Sequence, residues 1–230
     1  MRKYKDTIVM SLGGSLIAPL EIDVAFLKKF RTLMQAYVKR GNRVVIICGG
    51  GNTARRYQRA AKQVNSKVNP RDLDWIGIGA TKINGELVSA IFGDAAFESI
   101  VFDPNKRVST DKPIIVGAGF KPGSSSDLDA VLAARAYGAK TVINLSNIAY
   151  VYDKDPSKFR DAEPRHEMNW KEFRKLVGNK WVPGAHVPFD PVASRLAANW
   201  KLSLVVMKGS DLLNLKKFLN NKDFRGTIIS

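Results

Sequence analysis

The chain has 230 residues, 45% of them hydrophobic and 25% charged, a balance that excludes wholesale disorder and suits one large α/β domain or two small ones. Its single cysteine cannot form an internal disulfide, and no Cys/His cluster has the spacing of a structural zinc site, which argues for a reducing compartment. Thirty-seven Lys and Arg against 21 Asp and Glu leave a net charge of +16, a field that steers nucleotides, binds nucleic acid or belongs to a lysine-rich surface. Because the basic residues are scattered and no DNA- or RNA-binding motif occurs, specific nucleic-acid binding is not expected.

In chain order, the first apolar run is Thr7–Leu12. It ends at a glycine pair and is too short for a signal-peptide core or a membrane span, so a cytoplasmic protein with no membrane partner is expected. Leu27, Phe30, Leu33, Met34, Tyr37 and Val38 then recur at helical spacing up to Gly41, which predicts an amphipathic helix with a glycine at its end. A second strand follows over Arg43–Cys48, a helix from about Asn52 to Ala61, and another over Asp74–Phe92. Further on come a strand over Pro113–Val116, a helix over Asp127–Tyr137 and a strand over Lys140–Leu145. Helices near Asn169–Val177 and Asp190–Trp200, a strand over Leu202–Met207 and a helix near Asp211–Leu219 complete the chain. Strands alternating with helices imply βαβ units around a mainly parallel sheet. The expected division is an N-terminal lobe to about Asp111 and a C-terminal lobe beyond it, sharing one sheet.

Glycines gather after strand-like runs at three places: Gly13-Gly14-Ser15, Gly49-Gly50-Gly51-Asn52, and Gly117-Ala118-Gly119 leading to Lys121-Pro122-Gly123-Ser124-Ser125-Ser126-Asp127. One such cluster is as often a tight turn as a ligand site. Three at strand ends favour phosphate, because glycine lets an anion approach the backbone N–H groups that open the next helix. No Gly-Lys-Ser/Thr occurs, so the Walker loop is absent. Gly49-Gly50-Gly51-Asn52-Thr53-Ala54 fits the dinucleotide fingerprint, with Asp72 and Asp74 about twenty residues on, which keeps an NAD-binding oxidoreductase as a rival. That rival lacks its second strand, since residues 64–70 contain no apolar run. Arg55 lies in the first turn after the glycines, where a guanidinium can grip phosphate oxygens; Arg59 and Lys62 fit a solvated face equally well.

Residues 49–57, then Asp74-Trp75-Ile76-Gly77 with Ala80-Thr81-Lys82-Ile83-Asn84, resemble the acceptor and nucleotide region of the archaeal-type uridine monophosphate kinases, members of the amino acid kinase superfamily. Gly119 to Asp127 is similar to that family's uridylate loop. Ser146-Asn147-Ile148 with Val151-Tyr152-Asp153-Lys154-Asp155-Pro156 is similar to its ATP-binding stretch, and Phe189-Asp190-Pro191-Val192-Ala193 to a following helix start. The resemblance covers essentially the whole chain. It implies a single amino acid kinase domain over 1–230, a three-layer αβα sandwich on a mainly parallel open sheet. The lobe of about 1–111 would serve acceptor binding and oligomerisation, and that of about 112–230 would bind ATP. The implied reaction is transfer of the ATP γ-phosphoryl group to UMP with Mg²⁺ by a cytoplasmic homohexamer in pyrimidine nucleotide biosynthesis. By the same resemblance Gly14, Ser15, Gly51, Arg55, Ser146, Asn147, Tyr152 and Asp155 face ATP. Gly50, Asp74, Phe120, Lys121, Pro122, Gly123, Ser124, Ser125 and Ser126 face UMP, with Asp74 on the ribose and Lys82 near the acceptor phosphate.

Three departures from the family pattern stand out. Ser11 replaces a phosphate-clamping lysine found in many superfamily members, Lys82 replaces an arginine and Ser126 a threonine. The largest is Ala149-Tyr150, where the family has an acid and a glycine. A catalytically impaired nucleotide-binding protein, or a kinase of this fold for another small phosphate or carboxylate, therefore stands beside the UMP kinase reading. Cys48 reads as packing, His166 and His186 as loop residues, and Trp75, Trp170, Trp181 and Trp200 as core or interface.

Overall fold

The computed structural model describes residues 3–156, 158–180 and 187–230. Its centre is a seven-stranded sheet. Strands β1 (Thr7–Leu12), β2 (Arg43–Cys48), β3 (Ile114–Gly117), β4 (Thr141–Ser146) and β8 (Ser203–Lys208) are all parallel where they pair, in the order β3-β2-β1-β4-β8. Beyond β8 lie β9 (Thr227–Ile229), antiparallel to it, and β7 (Glu167–Met168), parallel to β9. A separate two-stranded ribbon joins β5 (Val151–Tyr152) to β6 (Pro164–Arg165).

The central strands are buried along their length because they are covered on both faces, which is why they read as continuous apolar runs. Side chains alternate between two cores. On one face Met10, Leu12, Val44, Ile46 and Val116 pack against helices α2 (Val24–Lys39), α4 (Pro70–Phe92) and α8 (Leu212–Phe218), through Phe30, Met34, Val88, Phe92 and Leu215. On the other, Val9, Val45, Ile47, Ile115 and Val206 meet α5 (Ser126–Tyr137), α6 (Trp170–Val177) and α7 (Pro191–Asn199), through Val131, Ala134, Phe173 and Ala193. The result is the three-layer αβα sandwich expected.

Most helices begin where a capping side chain stands. Asn169, Asp190 and Asp211, each expected as a first helical residue, are N-caps whose oxygens accept the first free N–H groups, so the helices start one residue later. Two expectations were too short. Helix α3 runs Gly51–Val64, past Ala61, and α4 starts at Pro70, not Asp74, because Asn69 accepts from Arg71 N–H and proline suits the first helical position. Asp72 and Asp74 therefore lie on a helix, whereas a dinucleotide fold needs an acid at the end of a second strand. The oxidoreductase reading loses its support there. Trp170 is buried and donates to Leu202 O at 2.9 Å, while Trp75 is 45% exposed and so is no core residue. Trp181 and His186 lie outside the described residues.

Candidate active site

The turns after β1, β2 and β3 lie side by side at the carboxyl edge of the sheet, where ligands of open α/β sheets bind. The first two touch backbone to backbone. A Cβ on Gly14 would overlap the Gly49–Gly51 backbone, and one on Gly51 would overlap Gly14 and Ser15 N. Gly51 also has φ +56° and opens α3, so glycine is required there for both space and conformation. Gly49 N–H donates to Leu12 O at 2.9 Å, which locks the second turn onto the end of β1.

Arg55 ties the same turns together from above. Its guanidinium donates to Ser15 Oγ at 3.0 Å and to Asn52 Oδ1, one residue from each turn. It is exposed, so the same donors are open to a phosphate. Arg59 and Lys62 point to solvent from α3.

Helix α4 is the rail under the turns. Asn84 donates to Gly49 O at 2.8 Å, Thr81 Oγ1 accepts from Gly119 N–H at 2.8 Å, and Asp74 Oδ2 accepts from Gly123 N–H at 2.9 Å. Spacings of seven and three residues put all three on one stripe of the helix. Gln58 on α3 donates to Leu73 O at 2.8 Å and holds the two helices together. Thr81, 8% exposed, and Asn84, 3% exposed, were quoted in the sequence only as members of the 80–84 motif and given no role. Their signal is a pair of polar residues three apart within an apolar helical face.

A buried acidic network lies behind the third turn. Ser11 Oγ donates to Asp127 Oδ1 at 3.0 Å, Asp190 N–H reaches Asp127 Oδ2 at 3.3 Å, and Ser125 Oγ donates to Asp190 Oδ2. Asp129 accepts from Ser124 Oγ at 2.6 Å and from Phe120 N–H at 3.1 Å. Burial pushes the Asp127 carboxyl up to about 7, held back by the Ser11 hydroxyl and assisted by the neighbouring Asp190 charge. Ser126 stands beside Gly49: a Cβ there would lie 3.6 Å from Ser126 Oγ. In the sequence Asp127 was visible as the end of one motif and the start of a helix, Asp190 as part of another motif and a helix start, and Asp129 was not singled out.

The remaining candidates lie at the ends of β4 and β8. Ser146 O accepts from Gly209 N–H at 2.8 Å, and Ser146 Oγ from Ile148 N–H at 3.3 Å. Next to them a cavity of about 430 Å³ is lined by Ala149, Tyr150, Lys208, Ser210, Asp211, Asn214 and Arg225. Asn147 is exposed, Tyr152 pairs with Pro164 in the ribbon, and Asp155 caps a turn, its carbonyl accepting from Lys158 and Phe159. A slightly larger hollow, about 480 Å³ between His166 and Phe224, contains none of the expected site residues. Lys82 is exposed on α4 with its ammonium 4.6 Å from the Phe102 ring centre. Cys48 is fully buried at the end of β2, where burial pushes its thiol well up, as a packing residue requires.

Comparison with known proteins gives a consistent answer. The model of the amino acid kinase family matches residues 6–208. A uridylate kinase from Methanospirillum hungatei is 31% identical over 228 residues, covering 97% of this chain and 94% of that protein. One from Thermoplasma acidophilum is 32% identical over 227 residues, 97% of this chain and 96% of its own. The crystal structure of uridylate kinase from Archaeoglobus fulgidus superimposes with a TM-score of 0.83 at 26% identity, covering 97% of this chain and 99% of that one.

Proposed function

The chain belongs to the amino acid kinase family, and on that premise we propose that it transfers the γ-phosphoryl group of MgATP to the 5′-phosphate of UMP, giving UDP and ADP. The observation that carries this reading is the contact of the glycine turns after β1 and β2, bridged by Arg55, beside a third turn held by α4 and α5. Phosphoryl transfer requires in-line positioning and neutralisation of spreading negative charge far more than a covalent partner. Backbone N–H groups of Gly14, Ser15 and Gly50–Asn52 supply a cradle, and Arg55 supplies a cation with two donors. Relatives that cover nearly the whole chain carry the name uridylate kinase, which supports UMP over other acceptors.

In this reading Gly14, Ser15, Gly51 and Arg55 hold the ATP phosphates, while Ser146, Asn147, Tyr152 and Asp155 border the base and ribose near the cavity of Tyr150 and Lys208. Gly50, Asp74 and residues 120–126 enclose UMP. Lys82 serves the acceptor phosphate, leaving the Phe102 ring to reach it. Magnesium arrives as part of the substrate, bound to the nucleotide's phosphate oxygens and water. Ala149 supplies no carboxylate, so positioning and the Arg55 charge carry the transfer. Both lobes reach across the crevice: the one before about residue 111, expected to serve the acceptor, also lends Gly14, Ser15, Gly51 and Arg55 to the ATP phosphates, and the one after it, expected to bind ATP, also lends residues 120–126 to UMP. No described helix is long and apolar enough to cross a membrane, and a cytoplasmic homohexamer completes the reading. Exposed Tyr57 and Val64 on α3 and Ile83 on α4 support assembly.

ADP formation should depend on UMP in a coupled assay. Binding of UMP without transfer at any Mg²⁺ concentration would make the protein a nucleotide-binding module instead. Asp74→Asn removes a charged acceptor worth about 1.5–3 kcal/mol, so UMP affinity should fall about tenfold or more with ATP affinity unchanged. Equal losses for both nucleotides would mark Asp74 as structural.

A further inference from the structure

The third glycine turn is more tightly held than a surface loop needs to be. Ser124 N–H donates to Lys121 O at 3.1 Å, closing a four-residue turn with Pro122 and Gly123 at its corners, the latter at φ +80°. Those residue types and that φ match a type II turn. Its tip is held by Asp74, through Gly123 N–H. Its base is held by one side chain, Asp129, whose Oδ2 accepts from Phe120 N–H and whose Oδ1 accepts from Ser124 Oγ. Phe120 precedes the turn and Ser124 closes it, so a single carboxylate draws its two ends together.

A carboxylate is an expensive choice at this position. Asp129 is 0% exposed on the first turn of α5, among residues that otherwise pack as Ala130, Val131, Ala133 and Ala134. Burial pushes its carboxyl up to about 6, opposed by the Ser124 hydroxyl, the Phe120 N–H and the Lys121 charge. Packing alone would be served by an apolar residue, and a buried acid persists where donors require it. The donors here all belong to the turn. The backbone of α5 fixes the acid in place, since Asp129 N–H donates to Ser125 O at 3.0 Å.

We infer that Asp129 is a positioning residue for the acceptor: it holds the 120–124 turn closed at its base, so that the turn is shaped for the nucleoside monophosphate before that substrate arrives. The inference rests on the acceptor reading of residues 120–126. It separates Asp129 from Asp74, which lies at the solvent side of the same turn and is free to exchange Gly123 for a ligand hydroxyl. Asp129 is the fixed support and touches no substrate. A turn shaped in advance lowers the ordering cost of binding, so its loss should fall on the acceptor's affinity and leave ATP untouched.

Three variants test this by steady-state kinetics with UMP and MgATP varied in turn. Asp129→Ala should raise the KM for UMP at least tenfold while the KM for ATP stays within twofold. Asp129→Asn keeps an acceptor for Phe120 N–H and an amide for Ser124 Oγ, so it should return to within threefold of wild type. Ser124→Ala, which disturbs no core packing, should raise the KM for UMP about threefold, and adding it to Asp129→Ala should do no further harm because the hydroxyl acts through Asp129. Equal rises in both KM values, Asn as damaging as Ala, or fully additive effects would overturn the inference. If Asp129→Ala does not fold, Asp129→Asn and Ser124→Ala decide it by the same split. Hydrogen exchange in the nucleotide-free protein separates the two readings. Faster exchange confined to the amides of Phe120 and Gly123 in Asp129→Ala supports the hold on the turn, whereas wild type without UMP turnover sinks the acceptor reading itself.

Discussion

Along α4 and α5, Thr81, Asn84 and Asp129 hold the glycine turns through buried side chains bonded to backbone groups. In the segment beyond β4, residues are joined by ion pairs at the surface: Lys154 to Asp161 at 2.6 Å, Lys158 to Asp155 at 3.7 Å and Arg165 to Asp153 at 3.7 Å. A buried donor or acceptor left unpaired costs about 1–3 kcal/mol, whereas an exposed ion pair contributes about 0–1 kcal/mol. One side of the site is therefore fixed by bonds that cannot be exchanged cheaply, and the other by bonds that can. The largest departure from the family pattern, Ala149-Tyr150, falls on the second side, where Tyr150 packs edge-on against His166, 5.0 Å between ring centres.

The strongest challenge to that contrast is Gly51→Ala. A side chain there meets the Gly14 backbone and sits at a left-handed φ, so destabilisation of about 4 kcal/mol is expected. Urea unfolding should report it, with a loss of at least a hundredfold in turnover; a change below about 1 kcal/mol would mean that the two turns are not locked together.

Next in size is the response to pH in the nucleotide-free protein. Below about pH 3 Asp127 is protonated in both the folded and unfolded chains. As pH rises from 4 to 7 the unfolded chain releases its proton first, because the folded carboxyl titrates near 7, and the folded state loses stability across that window. Above pH 7 the loss is complete. Asp127→Asn lacks this term, so its unfolding free energy relative to wild type should climb by about 3–4 kcal/mol between pH 4 and pH 8. A flat difference would show that Asp127 is better solvated than its surroundings imply.

The smallest effect should come from the segment after β4. Ala149→Asp places a carboxylate in the cavity shared with Lys208 and Arg225, and should raise kcat at least tenfold, about 1.4 kcal/mol of transition-state stabilisation, with little change in the KM for UMP. Tyr150→Gly in the same chain relieves the added bulk. If neither variant outpaces wild type, the loose side of the site is not short of an acid.

Much of the framework was readable in advance because it depends on local pattern. Five central strands are apolar enough to be recognised on both faces, and caps such as Asp190 and Asp211 sit next to their helices. The glycine clusters were equally plain. Strands β5, β6, β7 and β9 are two or three residues long, too short for any alternation to register. The start of α4 was legible in Asn69-Pro70 and was placed four residues late. Asn84 and Asp129 were hidden for a different reason. Their partners, Gly49 and Phe120, are 35 and 9 residues away, and nothing local distinguishes a polar side chain that meets a carbonyl from one that meets water. Lys82 shows the limit of motif transfer: its place on α4 was expected, but its contact with Phe102 was not.

The stripe on α4 that carries Asp74, Thr81 and Asn84 imposes a rule on chain length as well as on residue type. Each added residue turns a helix by about 100° and advances it about 1.5 Å. One insertion between positions 74 and 84 would swing Asp74 away from Gly123 while Asn84 still faced Gly49, so the two turns could no longer be served by the same rail. Lineages descended from this chain are free to lengthen the surface ribbon after β4, yet the ten steps from Asp74 to Asn84 should stay constant in number even where every other residue along them changes.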